Sequence, residues 1–340
     1  MNIEEKILNI IKDKKSANIS DFAKVFGFSR AYINKVLNRL IDQGVVVRLG
    51  KTNQTRYILS SNKEEIKKEG FRRIYPTKKI NEDFVFGEIK LTTKLFDNLS
   101  DRMQSIVYYT FTEMLNNAID HSNSEHVEVL INQDKDNIFF EINDKGVGIF
   151  EHVKRKKKLN NHIEALQDIL KGKQTTDPER HSGEGIFFTS KVVDQFIIQS
   201  SNLRLIVDNG VDDIFVEENR KTKGTKVFWQ IEKNSKKKLT DVFNKYTNKS
   251  LSFDKTEVKV DLFKINSPHI SRSEAKRLLS GLDKFNTIIL DFKDIDLIGQ
   301  GFADEVFRVW QNKHSKIVLK SINTSKTVEM MINRAKNTNI

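Results

Sequence analysis

The stretch FTEMLNNAIDHSNSEH, residues 111–126, decides how the central part of the chain is interpreted. Its apolar residues recur at helical spacing. Its polar residues are a carboxylate, two consecutive amides, a second carboxylate and a histidine, instead of the Lys and Glu expected on a solvated helix face. Asn and Asp disfavour helix interiors because their side chains compete for backbone hydrogen bonds. We therefore expect these polar residues to have a role other than contact with water.

Three further short motifs follow this helix in the sequence. They are NDKGVGI (143–149), HSGEGIFFTSKVVD (181–194) and KGTKVFW (223–229). In the first stretch, Glu113 and Asn117 are four residues apart and project from one helical face, where carboxylate and amide oxygens suit Mg²⁺. Asp144 precedes two glycines at a predicted strand end, where its carboxylate can accept a hydrogen bond from an exocyclic amine. The glycines of the 181–194 motif open a predicted helix, whose N-terminal N–H groups can bind an anion.

Each motif is weak alone, but together and in this order the four resemble the GHKL superfamily of ATPases, named for gyrase, an Hsp-type chaperone, histidine kinases and MutL. The resemblance spans residues 80–232 and implies an α/β sandwich that binds ATP and Mg²⁺. It implies that Asn117 is the Mg²⁺ ligand and that Glu113 is the candidate general base. It also implies that Asp144 recognises the adenine amine by accepting a hydrogen bond from it. The other nucleotide-binding residues that it implies are Asp120, Gly146, Gly148, Gly183, Gly185 and Thr225. It also implies a mobile lid from roughly Glu151 to Ser182.

The sequence departs from the histidine kinases of this superfamily at three points. No phosphoacceptor helical hairpin precedes the domain, and His121 is followed by a Ser-Asn-Ser turn that suits capping or orientation better than phosphate acceptance. Phe187 stands where compact kinases usually carry a small residue. ATP binding is therefore better supported than ATP turnover.

The first 60 residues carry three amphipathic helical patterns and then two β-rich runs around a polar turn. We predict helix caps at Ser20 and Ser29 and helix ends at Gly27 and Gly44. This order resembles a winged helix-turn-helix domain, an α+β fold whose third helix enters the DNA major groove. The residues that the resemblance places against DNA are Arg30, Tyr32, Asn34, Lys35 and Asn38 on the helix, and Lys51 and Arg56 on the wing.

Charge supports a polyanionic partner for this first domain. Residues 1–60 hold eleven Lys or Arg and five Asp or Glu, which is half of the excess of +12 in the whole chain. Such an excess favours DNA binding. The alternative is a winged helix that serves only in dimerisation or protein docking, since a fold does not fix its function.

We interpret residues 232–252 as a basic connector, after which strands and amphipathic helices alternate over residues 255–336. This alternation predicts a small parallel or mixed sheet with helices on at least one face. The predicted core residues are Ile288, Ile289, Leu290, Phe292, Phe302, Val306, Phe307, Val309 and Trp310. The segment IILDFKDIDLIGQGFADEVFR (288–308) resembles a STAS domain, the module of anti-sigma-factor antagonists, and more closely a STAS-like family found beside GHKL domains.

In the antagonists, a serine at the start of the helix after the third strand is phosphorylated by a separate GHKL kinase. The corresponding loop here is Ile298-Gly299-Gln300-Gly301, which has no hydroxyl. Two roles are open for this loop. The helix start could still contact an anion or the nucleotide site. Alternatively, the two glycines serve only to let the helix and the strand pack closely.

Composition narrows the remaining possibilities. The chain has no cysteine, which excludes disulfides, zinc knuckles and thiol catalysis. We find no apolar window long enough for a membrane span and no signal peptide, so we expect a cytoplasmic protein without a membrane partner.

Three hypotheses remain for the function of this α/β multidomain chain. The first is a homodimeric transcriptional regulator that binds DNA through residues 1–60 and is switched by ATP, with a possible protein partner on the STAS-like domain. The second is a protein serine/threonine kinase of the anti-sigma type. The third is a non-catalytic scaffold.

Overall fold

The computed structural model describes residues 3–14, 17–26, 30–49, 56–60, 70–173, 183–250, 252–263 and 270–337. The chain divides into two compact units, residues 1–71 with 87–98 and residues 72–86 with 99–340. Helices and strands are mixed in it, and the described residues form three sheets. This is the α/β multidomain class that the sequence predicts.

The described residues of the first unit before residue 61 form three helices and a β-hairpin. They are α1 (Ile3–Lys14), α2 (Ile19–Phe26), α3 (Arg30–Asp42), β1 (Val46–Leu49) and β2 (Arg56–Leu59). The two strands are antiparallel, and Ala17 forms a further antiparallel bridge to Tyr57. Ile7, Phe22 and Leu37 lie in one buried apolar cluster with Tyr57. The amphipathic patterns of the sequence thus form the core of this unit.

The cap of α2 differs from the prediction. Asn18, not Ser20, precedes the helix: its Oδ1 accepts a hydrogen bond from Asp21 N at 3.0 Å, and Asp21 Oδ2 accepts one from Asn18 N at 2.8 Å. This reciprocal pair satisfies two donors at the helix start, which a serine inside the helix cannot do. Gly44 follows the end of α3 with φ +71°, as predicted. Gly27 and Ser29 lie outside the described residues.

The second unit begins with a five-stranded sheet in the order β3-β4-β5-β7-β6. Its strands are β3 (Phe71–Pro76), β4 (His126–Gln133), β5 (Asn137–Asp144), β6 (Gln195–Asp208) and β7 (Asp213–Glu232). Pairing is antiparallel between β4 and β5, β5 and β7, and β6 and β7. Alternate residues of β5 are buried, which is the period-2 pattern of a sheet with one covered face. Phe140 of β5 stacks on Trp229 of β7 with centroids 4.9 Å apart.

Helices accompany this sheet. They are α5 (Asp101–His121), α6 (Ile149–Lys157), α7 (His162–Leu170), α8 (Gly185–Val192), α9 (Leu239–Tyr246) and the first residues of α4 (Glu82–Thr92), whose later residues belong to the first unit. Ser100 caps the N-terminus of the long α5 by accepting a hydrogen bond from Met103 N. Phe111 of this helix packs against Phe140 of the sheet. The interpretation of residues 232–252 as a connector is wrong in part. The segment contains α9, whose Tyr246 is buried. This helix forms because Phe243 and Tyr246, among the lysines of the segment, supply an apolar face.

The C-terminal part of this unit is a parallel three-stranded sheet in the order β10-β9-β8. Its strands are β8 (Lys255–Lys259), β9 (Thr287–Asp291) and β10 (Val318–Ile322). Its helices are α10 (Arg272–Leu279), α11 (Gln300–Asp304), a π-helical segment (Glu305–Trp310), α12 (Gln311–Lys313) and α13 (Lys326–Asn337). The predicted strand–helix alternation is confirmed.

Most of the predicted core of this C-terminal part is buried. Of the nine predicted core residues, only Ile289, Val309 and Trp310 are partly exposed. No helix in the described parts of the chain is long and apolar enough to cross a membrane.

Candidate functional site

Helix α5 carries the first predicted site residues at its C-terminal end. Its apolar residues, among them Met114 and Leu115, are buried, whereas Glu113 and Asn117 are half-buried. Asp120 continues the same helical face one turn later and is exposed. The three predicted polar positions of this helix therefore run from a partly buried position to the surface.

Glu113 faces the start of α8. A β-carbon added to Gly185 would lie 2.0 Å from Glu113 Oε2. Burial raises the pKa of the Glu113 carboxyl, and the negative charges of Glu184 and Glu82 raise it further. A carboxylate with a raised pKa takes up a proton more readily at neutral pH, which is the property required of a general base.

Asp144 ends β5 with only 5% of its surface exposed. Its Oδ1 accepts hydrogen bonds from Gly146 N at 2.9 Å and from Thr225 N at 3.2 Å. Burial raises the pKa of this carboxyl, while the hydrogen bonds from Gly146 and Thr225 oppose the rise. The carboxylate is thus held in one orientation in a largely dry position, where a single hydrogen bond to a ligand discriminates strongly.

Glycines surround this carboxylate because the backbone approaches too closely for side chains. A β-carbon on Gly146 would lie 1.8 Å from Ser122 O, and one on Gly224 would lie 2.3 Å from Asp144 O. Gly148 has φ +86° and Gly224 has φ +77°, a region that other residues rarely adopt. The turn between β5 and α6 therefore requires glycine at 146 and 148, and β7 requires it at 224.

Hydrogen bonds join the elements around Asp144. Ser122 O, at the end of α5, accepts from Val147 N at 2.8 Å. Thr225 Oγ1 accepts from Ile149 N at 2.9 Å, which fixes β7 to the first residue of α6. Ser200 Oγ donates to Gly224 O at 2.9 Å and is fully buried. The structure thus brings α5, the turn after β5, β6 and β7 to one site, with α8 beside Glu113.

The remaining predicted residues are placed as follows. Gly183 precedes α8 with φ +71°. The predicted lid from Glu151 to Ser182 is described as far as residue 173, where it forms α6 and α7; residues 174–182 lie outside the described residues. In the first unit, Tyr32, Lys35 and Asn38 are exposed on α3 and Asn34 is partly exposed. Arg30 begins α3 and Arg56 begins β2, but their side chains, and Lys51 entirely, lie outside the described residues.

Sequence reasoning missed three contributors to this site. Ser122 and Ser200 were not predicted as site residues. Gly224 lies in a predicted motif, but no role was predicted for it. Gly224 carries a sequence signal, since it stands between lysines just ahead of Thr225 in a strand. Ser200 carries none, because its partner is a backbone carbonyl on a neighbouring strand.

These residues fit a nucleotide and Mg²⁺. The buried, oriented carboxylate of Asp144 suits the exocyclic amine of a base, and the glycines at 146, 148 and 224 allow the backbone to pack closely around it. The described residues contain no cluster of three or more His, Asp or Glu that could hold a metal ion alone. Mg²⁺ commonly takes one or two protein oxygens together with phosphate oxygens and water, so a single amide such as that of Asn117 is a sufficient protein ligand.

Comparison with protein families supports the same conclusion. Residues 96–208 match the model of the histidine kinase-like ATPase domain. The chain carries a histidine kinase-like ATPase domain. The match includes Glu113, Asn117, Asp144 and Gly185, and it ends before Gly224. Residues 274–329 match the STAS-like domain of unknown function (DUF4325). A comparison with curated proteins finds no match.

Proposed function

We propose that the protein binds ATP with Mg²⁺ at the site around Asp144 and Glu113 and acts as an ATP-switched regulator that binds DNA. The observation that carries the nucleotide part is the Asp144 carboxylate, which is buried, oriented through Oδ1 and bordered by Gly146 and Gly224. Burying a carboxylate costs desolvation energy, and a buried, oriented carboxylate of this kind supports a ligand site.

Each residue has a distinct role in this proposal. Asp144 accepts a hydrogen bond from the adenine amine. Asn117 offers an amide oxygen to Mg²⁺, which when bound neutralises phosphate charge and orients water. The N–H groups at the start of α8 face the phosphates, as the eight-residue helix leaves its first donors without intrahelical partners. Glu113, beside Gly185, accepts a proton from the attacking water.

The first unit supplies the DNA-binding part of the proposal. Three helices followed by a hairpin fit a winged helix-turn-helix, and Tyr32, Asn34 and Lys35 are accessible on α3 for contact with DNA. The excess of basic residues in this segment supports phosphate contacts. A homodimer follows from the usual pairing of half-sites. Nucleotide acts as a switch only if it binds two conformations of the chain with different affinity.

A second candidate is a protein serine/threonine kinase of the anti-sigma type. It is favoured by the STAS-like match beside the ATPase match. The loop from Ile298 to Gly301 has no hydroxyl, so the acceptor would be a residue elsewhere. Incubation with γ-labelled ATP separates the candidates: a kinase labels a protein band, whereas a switch releases only free phosphate.

The nucleotide part is tested by titrating ATP and Mg²⁺ into the full chain and measuring binding and phosphate release. We expect Asp144→Asn to abolish binding and Glu113→Ala to abolish release while binding persists. Asp136→Asn is the matched control, since Asp136 is exposed in the turn at the opposite end of β5. Unchanged binding in Asp144→Asn would overturn the site.

The DNA part is tested with the double variant Arg30→Ala and Lys35→Ala. We expect weaker DNA binding, a shallower dependence of the DNA affinity on salt and unchanged ATP binding. The control is Lys316→Ala with Lys320→Ala, which removes the same charge from exposed positions of the second unit. DNA affinity equal to that of the wild type at low salt would contradict the assignment.

A further inference from the structure

Helix α8 connects the nucleotide site with the C-terminal module, which we define as residues 252–337. Its first residue, Gly185, faces Glu113, while Phe187 and Phe188 are 2% and 0% exposed and belong to the same apolar cluster as the core of that module. Gly185 and Phe187 are only two positions apart. A displacement of one therefore moves the other.

Aromatic rings hold this helix in place. The rings of Phe187 lie 4.7 Å from Phe253 and 4.9 Å from Tyr246, and those of Phe188 lie 4.3 Å from Phe243 and 5.0 Å from Phe253. We call these five residues the aromatic cluster. Phe253 in turn contacts Phe285, which leads to β9. Ring contacts of this kind combine large buried area with defined geometry.

Polar contacts from the end of α7 reach the same module. Lys171 Nζ donates to Arg277 O and Ser280 O, both at 2.8 Å, at the C-terminal end of α10, where a cation meets unpaired carbonyls. Gln167 Nε2 donates to Leu262 O at 2.6 Å. Lys173 Nζ donates to Phe253 O at 2.9 Å. The ATPase domain is thus anchored to the C-terminal module on two elements, α7 and α8.

Close backbone packing makes this anchorage specific. Gly172 has φ +73°, and a β-carbon on it would lie 2.7 Å from Phe253 and 2.9 Å from Phe187. Thr256, which is fully buried on β8, donates from Oγ1 to Lys171 O at 2.6 Å. Phe253 is therefore the point at which the end of α7 and the middle of α8 meet.

We propose that Phe187 is a positioning residue for the nucleotide site, through which the C-terminal module holds the start of α8 against Glu113. The proposal rests on the proposed nucleotide binding. It also explains why a large side chain stands at position 187: a small one would not reach Phe253. Because coupling between sites is reciprocal, bound nucleotide also tightens the C-terminal module.

The test compares Phe187→Leu with Phe292→Leu in the full chain. Phe292 is fully buried in the C-terminal module and contacts Phe302 and Phe307 instead of α8, so the control matches the loss of ring and burial. We expect Phe187→Leu to weaken ATP binding roughly 5- to 100-fold, the usual range of such coupling, and the control to stay within about twofold. Equal losses in the two variants, or wild-type affinity in Phe187→Leu, would overturn the proposal.

Hydrogen exchange supplies a readout that simple loss of packing does not change. A non-hydrolysable ATP analogue should slow exchange of α10 amides in the wild type and in Phe292→Leu, and leave them unchanged in Phe187→Leu. Without nucleotide, Phe187→Leu should speed exchange in α8, which tests the anchorage independently of ATP. If the wild type binds no ATP, the proposed function fails; if α8 exchange is unchanged in Phe187→Leu, the anchorage fails.

Discussion

Two glycine-containing regions of the second unit differ in what surrounds their glycines. At the nucleotide site, an added β-carbon would meet Asp144 O at 2.3 Å from Gly224 and Glu113 Oε2 at 2.0 Å from Gly185. At the start of α11, it would meet Ile270 O at 2.9 Å from Gly299 and Arg272 Cβ at 3.4 Å from Gly301. The first pair borders the two candidate functional carboxylates, whereas the second borders the backbone of Ile270 and atoms of Arg272. Glycine thus allows close packing in both regions, but only in the first does this packing border candidate functional carboxylates.

The sharpest test of this difference is Gly224→Ala against Gly301→Ala. Alanine at 224 combines a positive φ with a clash against the backbone of Asp144, so we expect strain on the order of 3 kcal/mol and loss of ATP binding. Alanine at 301 meets an ordinary contact and should leave ATP affinity unchanged. Calorimetric titration of both variants measures this; equal affinity would remove the distinction between the regions.

Buried charge gives a second comparison, because Lys171 is 3% exposed where α7 meets the C-terminal module. Lys171→Met removes the donor to Arg277 O and Ser280 O, and leaving these partly buried carbonyls without that donor costs roughly 1 kcal/mol of unfolding free energy. Urea unfolding at pH 7 checks this value.

The effect of Lys171 also depends on pH. Burial lowers the pKa of its ammonium to about 8 in the folded protein, below the ordinary value of 10.5. Between these values the unfolded chain binds more protons, so the stability of the wild type relative to Lys171→Met should rise from about pH 8 to pH 10. A constant difference in unfolding free energy between the two proteins over this pH range would contradict a lowered pKa of Lys171.

The third test concerns Gly299 alone. Its N–H donates to Ile270 O at 3.1 Å, and a β-carbon would force this pair apart. We expect Gly299→Ala to lower the unfolding free energy by about 1–2 kcal/mol, as overpacking usually does, with ATP affinity unchanged. A loss of ATP binding without a loss of stability would instead give this loop a role in the nucleotide site.

The smallest expected effect is on the pH dependence of ATP hydrolysis. The Glu184 carboxylate raises the pKa of Glu113 after burial. Phosphate release should therefore fall as pH decreases through the raised pKa of the base, and Glu184→Gln should shift this limb to lower pH by a fraction of a unit. An unchanged pH profile in Glu184→Gln would show that Glu184 does not contribute to the raised pKa of Glu113.

The sequence predicted the placement of the candidate site residues where the evidence is local, and their roles stay predictions. Glu113 and Asn117 share a helix face, and Asp144 ends a strand before glycines, so a few neighbouring residues suffice to place them. The strand–helix alternation of the C-terminal module was confirmed for the same reason. The winged helix and its DNA contacts stay predictions.

Other features depend on residues far apart in the sequence and could not be predicted. Thr225 donates to Asp144 across 81 positions, and Ser200 fixes a carbonyl on a neighbouring strand. Residues 232–252 were interpreted as a connector because their many lysines outweighed the aromatic residues of α9 in the pattern. Asn18 was missed as the α2 cap because Ser20, a good cap type, lies two residues away.

The burial of α8 has a consequence for how the chain folds as it is made. Phe187 and Phe188 leave the ribosome 66 and 65 residues before Phe253, their partner. At typical synthesis rates this is a delay of roughly 3–13 s. During that interval β6 and β7 of the central sheet are synthesised, and both rings lack their contact with Phe253. We therefore expect fragments that end between residues 233 and 252 to aggregate, even though they contain every candidate nucleotide-binding residue.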